Sequence, residues 1–175
     1  MILVRHAHAG SKAAWHQADE MRPLSTLGLA QAQALVTTLA ADDITTVWCS
    51  PSVRCRQSVE PLAAARGLHV RTSSQLSKTA HPAWLLAWLQ DIGADAPWVV
   101  CTHGEVLTRP LHRRPQGRGR LEVATRDQTA KGALWRVGTH PHRPDGRLQL
   151  AYTPLTPTRW SSPSKETHPA LRDAL

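Results

Sequence analysis

The sequence contains no phenylalanine and a single tyrosine, so it has little material for the platform of exposed Phe and Tyr on which single-stranded nucleic acids stack. Its three cysteines, Cys49, Cys55 and Cys101, are odd in number and show no C-x-x-C spacing, which argues against a disulfide framework or a structural zinc ribbon. No run approaches the ~18 apolar residues of a membrane span. Met1-Ile2-Leu3-Val4-Arg5 has no basic stretch ahead of its short apolar one, so a cytoplasmic protein with no membrane association is expected. At 175 residues the chain falls short of the roughly 250 that a (β/α)8 barrel requires. With 41% hydrophobic residues it is read as one globular domain.

What is abundant is positive charge, with a formal net of +8. The excess is local, because residues 101–150 carry 10 Lys and Arg against 4 Asp and Glu while residues 1–100 carry 8 against 7. It centres on Arg109, Arg113, Arg114, Arg118 and Arg120. Such a cluster neutralises phosphates on a polymer or at the mouth of a small-molecule site, or it is a solvated loop. The solvated loop is adopted here, and a nucleic-acid polymer is not expected as partner.

Apolar runs alternate with helical patterns, which predicts an α/β sheet rather than a bundle or a sandwich. Strands are expected at Ile2 to Arg5, Ile44 to Cys49, Leu68 to Thr72, Trp98 to Thr102, Ala133 to Val137 and Leu148 to Tyr152. Ser25 is the expected N-cap of a helix from Thr26 to about Ala41. Ser50 and Pro51 are read as N-cap and first position of a second helix that stops at Gly67, with a kink or early break at Pro61. A third helix is expected to open at Pro82, and a fourth at His103-Gly104, ending before Pro110. Residues 110–120 read as an exposed loop. The domain is assigned to residues 1–152, and residues 153–175, rich in Pro, Ser and Thr, to a disordered tail. The first strand is expected to be central although it begins at residue 2, which leaves an upstream partner domain open.

Three strand ends carry the residues of chemical interest. The first ends in Arg5-His6, the second leads into a helix whose first turn holds Arg54, and the strand Trp98 to Thr102 ends in His103. If these strands are parallel neighbours, all three sites lie at their carboxyl ends, where open α/β sheets bind ligands. Two guanidinium forks and two helix N-termini converging there describe a phosphoryl site. A Cys-based phosphatase loop needs C-x-x-x-x-x-R, and from Cys49 neither Arg54 nor Arg56 fits that spacing. His6-Ala7-His8 offers a metal pair, but no Asp or Glu stands at a strand end to complete a shell. No metal or cofactor is therefore expected. Imidazole remains as nucleophile: a neutral His6 attacks phosphorus, Arg5 and Arg54 stabilise the transferring charge, and His103 donates a further hydrogen bond.

The segments Leu3-Val4-Arg5-His6-Ala7, Ser50-Pro51-Ser52-Val53-Arg54-Cys55-Arg56-Gln57-Ser58 and Thr102-His103-Gly104, in this order, resemble the signatures of the histidine phosphatase superfamily. Arg22-Pro23-Leu24-Ser25 with Gly28, and the small size, are similar to its compact SixA-type phosphohistidine phosphatases. Ala9-Gly10-Ser11-Lys12, Val53-Arg54-Cys55 and Glu60-Pro61-Leu62-Ala63 resemble still more the phosphatase half of MutT-type two-domain Nudix proteins, although no Nudix box is present. The resemblance implies a three-layer α/β/α sandwich of the phosphoglycerate mutase-like fold with a mostly parallel sheet. It implies His6 as nucleophile and Arg5, Arg54 and His103 as phosphate pocket, with Arg22 and Lys12 reaching the same anion. The implied activity is hydrolysis of a phosphorylated metabolite, a nucleotide or a protein phosphohistidine. One departure stands out: where many members carry an acidic proton donor, this chain reads Leu76-Ser77-Lys78-Thr79-Ala80. No acid is assigned, and Asp19 and Glu20 lie on a loop free to fold over the site. A phosphate-binding or regulatory module with weak turnover is the alternative reading.

Overall fold

Alternation of buried side chains along short apolar strands builds a six-stranded sheet of order β3-β2-β4-β1-β5-β6. Its strands are β1 (Ile2–Arg5), β2 (Thr46–Cys49), β3 (Val70–Thr72), β4 (Trp98–Thr102), β5 (Leu134–Thr139) and β6 (Leu148–Thr153). The computed structural model describes residues 1–81, 85, 87, 88, 91, 96–107, 130–139 and 148–153. The expected exposed loop 110–120 and the tail beyond Thr153 lie outside these residues. Of the helix expected to open at Pro82, residues 85, 87, 88 and 91 are described and are helical, as are residues 104–107.

β1, β4, β2 and β3 run parallel, whereas β5 and β6 extend the sheet antiparallel from the other edge of β1. The expected parallel neighbourhood of the strands ending in His6, His103 and Ser50 therefore forms, in register Val4↔Cys101 and Cys49↔Cys101. Both faces of the central strands are covered, as parallel sheets require. Ile2, Val4, Val99 and Cys101 pack on one face with Leu35, Cys55, Val59 and Leu62 from the two long helices, α1 (Thr26–Thr38) and α2 (Val53–Ala65). Leu3, Val100 and Trp135 face the opposite way with Leu85, Val106 and Leu107. The layers are α/β/α. Among the described residues no helix is long and apolar enough to cross a membrane.

Helix boundaries show where local signals prevail and where they do not. The Ser25 hydroxyl accepts from the Gly28 N–H and caps α1 as expected. The helix closes at Thr38 rather than Ala41, and the Arg66 guanidinium satisfies the carbonyls of Leu39 and Ala40, each at 2.7 Å. Ser52, not Ser50, is the N-cap residue of α2. The chain stays helical through Pro61 to Ala65, so the early break does not occur; core packing of Val59, Leu62 and Ala63 around the proline outweighs its missing hydrogen bond. Gly67, at φ +64°, then ends the helix with Leu68 N–H bonded to Ala63 and Gly67 N–H to Ala64, a Schellman arrangement that favours glycine.

Gly28 fixes the loop after β1 against α1. A Cβ there would lie 2.0 Å from the His8 carbonyl oxygen and 2.9 Å from its carbon. Because backbone rather than a flexible side chain blocks the space, Gly28→Ala is expected to destabilise the fold by about 3 kcal/mol, or roughly 10 °C in Tm. Thermal unfolding followed by circular dichroism checks it, and an unchanged midpoint would show that loop and helix part freely.

Candidate active site

The ladder continues past the strand ends and places the site. His6 N–H bonds the Thr102 carbonyl at 2.9 Å, and Ser50 N–H bonds that of Cys101 at 3.0 Å. The first residues after β1, β4 and β2 are thereby held side by side. Ser58 on α2 accepts from Ala7 N–H at 2.9 Å and donates to the Arg54 carbonyl at 2.6 Å, joining the first loop to the helix that carries Arg54. Gln57, two turns' reach from the cap, accepts from Leu24 N–H at 2.8 Å and holds the Arg22-Pro23-Leu24 segment nearby.

His6 is buried, and its Nδ1 lies 2.8 Å from the Ala7 carbonyl. A carbonyl only accepts, so the proton sits on Nδ1 and Nε2 keeps its lone pair. Burial pushes the ring down to about 3; the bond to Ala7 opposes this, while the charges of His103, Arg54 and Arg5 act with it. The imidazole is neutral at physiological pH and poised as a nucleophile.

The same burial predicts acid sensitivity. In the unfolded chain the ring takes up its proton near 6.5, so between pH 6.5 and about 3 the unfolded state binds more protons than the folded one. Stability therefore falls as pH falls through that window, by up to ~1.4 kcal/mol per pH unit. Urea midpoints measured from pH 7 to pH 4 are expected to drop steeply for the wild type and less steeply for His6→Asn. Equal slopes would place the acid sensitivity elsewhere.

His103 is fully buried, and its ring stands 5.3 Å from that of His6, edge to face. Its Nδ1 lies 3.3 Å from Arg54 Nη2, which is always a donor, so Nδ1 accepts and Nε2–H donates to the Ser50 hydroxyl at 2.9 Å. This bond is why Ser50 is not the helix cap. Arg54 is 2% exposed. Its Nη1 donates to the Asp19 carbonyl and its Nη2 to Asp19 Oδ2 at 3.2 Å, whereas Nε is buried without a hydrogen-bond partner among the described residues. Arg5 is half-buried against Gly104, where a Cβ would come within 2.8 Å of the guanidinium carbon. Glycine at 104 is thus what admits Arg5 to the pocket wall.

Arg22 joins the group through Asp19, Nε to Oδ1 at 3.0 Å, and donates from Nη1 to the Ala9 carbonyl at 2.6 Å. Lys12 is exposed and forms no ion pair with the other named residues. Sequence reasoning placed Asp19 on a mobile first loop but gave it no role; its carboxylate in fact bridges Arg22, Arg54 and, at 3.9 Å, Lys78. Burial alone would raise Asp19, but the Arg22 hydrogen bond and the Arg54, Arg22 and Lys78 charges hold it below the usual carboxylate range. Glu105 behaves alike: burial works upward, while its own backbone N–H, Lys78 at 3.6 Å, His103 and Arg5 hold it low. Both carboxylates are ionised at neutral pH and hold no proton to give. Burial pushes Cys49 up to about 12, which keeps that thiol out of nucleophilic chemistry. Among the described residues no group of three or more His, Cys, Asp or Glu is placed to hold a metal ion.

The arrangement is a neutral imidazole with an available lone pair, ringed by guanidinium groups. Comparison with known proteins agrees with this chemistry. A sequence model of the histidine phosphatase superfamily, branch 1, matches residues 1–86. An 8-oxo-(d)GTP phosphatase of Mycolicibacterium smegmatis is 35% identical over 111 residues, covering 61% of this chain and 34% of that protein. The chain therefore spans about a third of that relative's length. Among solved structures, the protein histidine phosphatase SixA complexed with tungstate superposes with a TM-score of 0.64 at 19% identity, covering 86% of this chain and 92% of the other. A mycobacterial glucosyl-3-phosphoglycerate phosphatase with VO3 gives 0.60 at 17% identity over 86% and 96%. At such identities these two structures show the shared fold.

Proposed function

Because the chain belongs to the histidine phosphatase superfamily, we propose that it is a phosphohydrolase working through a phospho-His6 intermediate without a metal ion. The observation that carries this reading is the Nδ1 contact of His6 with the Ala7 carbonyl at 2.8 Å, which leaves Nε2 as the attacking atom. In the first step Nε2 bonds phosphorus while the bond from phosphorus to the leaving oxygen breaks, its electron pair departing with that oxygen. In the second step water attacks phosphorus, the P–N bond breaks, phosphate forms and His6 returns to neutrality. Arg5, Arg54 and His103 surround the equatorial oxygens, where charge spreads during transfer. Arg22 supports the pocket through Asp19. Since Asp19 and Glu105 hold no proton to donate, substrates whose leaving group departs readily as an anion are favoured: phosphoanhydrides, phosphohistidine and activated esters. The name of the Mycolicibacterium relative points to nucleotides within that range.

The test is trapping the intermediate. Wild-type protein mixed with an activated aryl phosphate in excess chelator and quenched in alkali is expected to yield a phosphoprotein that is alkali-stable, acid-labile and modified at His6. Phosphate release with no such adduct, or release abolished by chelator alone, would overturn the mechanism. The lack of a protonated carboxylate also favours one other reading, a phosphate-binding module; phosphate binding without any release would establish it.

A further inference from the structure

Lys131 was not among the residues the sequence singled out, yet the fold carries it to the pocket. The Gln31 side chain accepts from His8 N–H at 2.8 Å and donates to the Lys131 carbonyl at 3.0 Å, so one amide ties the loop after β1 to the approach of β5. Gly132, at φ +82°, donates its N–H to the His6 carbonyl at 3.2 Å and lets Gln31 lie against it; a Cβ there would stand 3.1 Å from the amide carbon. Lys131 is thus pinned beside His6 although more than a hundred residues separate the two. It is half-buried, its charged neighbours are Arg5 and Arg22, and it forms no ion pair with a carboxylate among the described residues.

His8 completes a second wall. Its Nδ1 accepts from Gly10 N–H at 3.3 Å and lies 2.7 Å from the Ser25 hydroxyl, so its proton resides on Nε2, turned away from those bonds. His8 shares the electrostatic neighbourhood of Lys131 and Arg22. Three donors, Lys131, Arg22 and the His8 Nε2–H, therefore stand on the side of the pocket away from the Asp19–Lys78–Glu105 string. The pocket holds Arg5, Arg22, Arg54, Lys78 and Lys131 against Asp19 and Glu105, an excess larger than one phosphoryl group requires. Like charges gathered without a counter-charge cost free energy, which a bound anion offsets.

Resting on the phosphatase reading above, we propose that Lys131, with His8 and Arg22, forms a second anion subsite that takes the leaving phosphate of a phosphoanhydride, such as a nucleoside diphosphate. His6 Nε2 would bond the terminal phosphorus as its bond to the bridging oxygen breaks, and the bridging oxygen leaves with its electron pair as part of a nucleoside monophosphate. A phosphate with a second pKa near ~6 leaves as an anion without a proton donor, and Lys131 balances the charge that arrives on it.

Two measurements test the subsite. Calorimetric titration of inorganic pyrophosphate and of orthophosphate into the whole protein needs no turnover: the wild type is expected to prefer pyrophosphate by at least about tenfold, and Lys131→Gln to erase that preference. Equal affinities in the wild type, or a preference that survives Lys131→Gln, would overturn the proposal. In turnover, Lys131→Gln is expected to lower kcat/KM for a nucleoside diphosphate about tenfold more than for an aryl monophosphate, with Lys131→Arg restoring most of the ratio. Parallel losses on both substrates would reject the subsite while leaving the phosphatase reading intact. Absence of a phosphohistidine from either substrate would instead reject the phosphatase reading.

Discussion

Replacing His6 by glutamine is expected to lower phosphate release from an activated aryl phosphate by about four orders of magnitude, with KM changed far less. Glutamine fills similar space and its amide can still reach the Ala7 carbonyl, but it offers no nitrogen lone pair to phosphorus. The guanidinium groups of Arg5 and Arg54 stay in place, so water attacking a bound phosphoryl group still finds the charge stabilisation it needs, and a slow residue of activity persists. Steady-state phosphate release and alkali-quenched labelling read the two parts separately. The variant is expected to fold at least as well as the wild type below pH 6.5, because it no longer buries a ring that acid would protonate. Release within tenfold of wild type would mean that another group attacks phosphorus.

Arg54 carries the second large effect. Arg54→Ala is expected to reduce kcat/KM about a thousandfold, and Arg54→Lys about a hundredfold. The difference between the two variants is the point of the experiment. The guanidinium reaches Asp19 at two atoms and His103 at a third, a fork that an ammonium, a single point of charge, does not reproduce. In the absence of substrate the Asp19 carboxylate lies on Arg54 Nη2, and a phosphoryl oxygen arriving in the pocket competes for the same face. Lysine restores the charge but neither the planar contact nor the orientation of the His103 ring. If Lys proved as good as Arg, the residue would matter only as a charge. Kinetics on one aryl phosphate, with circular dichroism to confirm folding, distinguish the two cases.

What could be read from the chain alone was whatever is encoded within a few residues. The apolar run of β1, the Ser25 cap and the Gly67 stop are local signals, and the structure places them where their chemistry demands. The convergence of His6, Arg54 and His103 was legible for a related reason: once three strands are parallel neighbours, residues just past their ends must share an edge. Ser50 misled as a helix cap because two serines stand two positions apart, and only the long-range bond from His103 Nε2 decides between them. Asp19 and Lys131 escaped for the opposite reason. Nothing near Asp19 in sequence announces Arg54, and Lys131 reaches the pocket through Gln31, a hundred residues earlier. Loops that close on a site from afar leave no periodic trace.

The position of β1 bears on how the protein is made. Val4 pairs with Cys101 on one side and Leu134 on the other, so the first strand to leave the ribosome waits for some of the last. At synthesis rates of about 5–20 residues per second the apolar Ile2-Leu3-Val4 edge stays unsheltered for several seconds, a window in which it is open to intermolecular pairing. Until β4 and β5 arrive, His6 lacks the backbone partners that Thr102 and Gly132 supply. Nascent chains truncated before β5 are therefore expected to carry no partial activity, since the histidine acquires its setting together with the closed sheet.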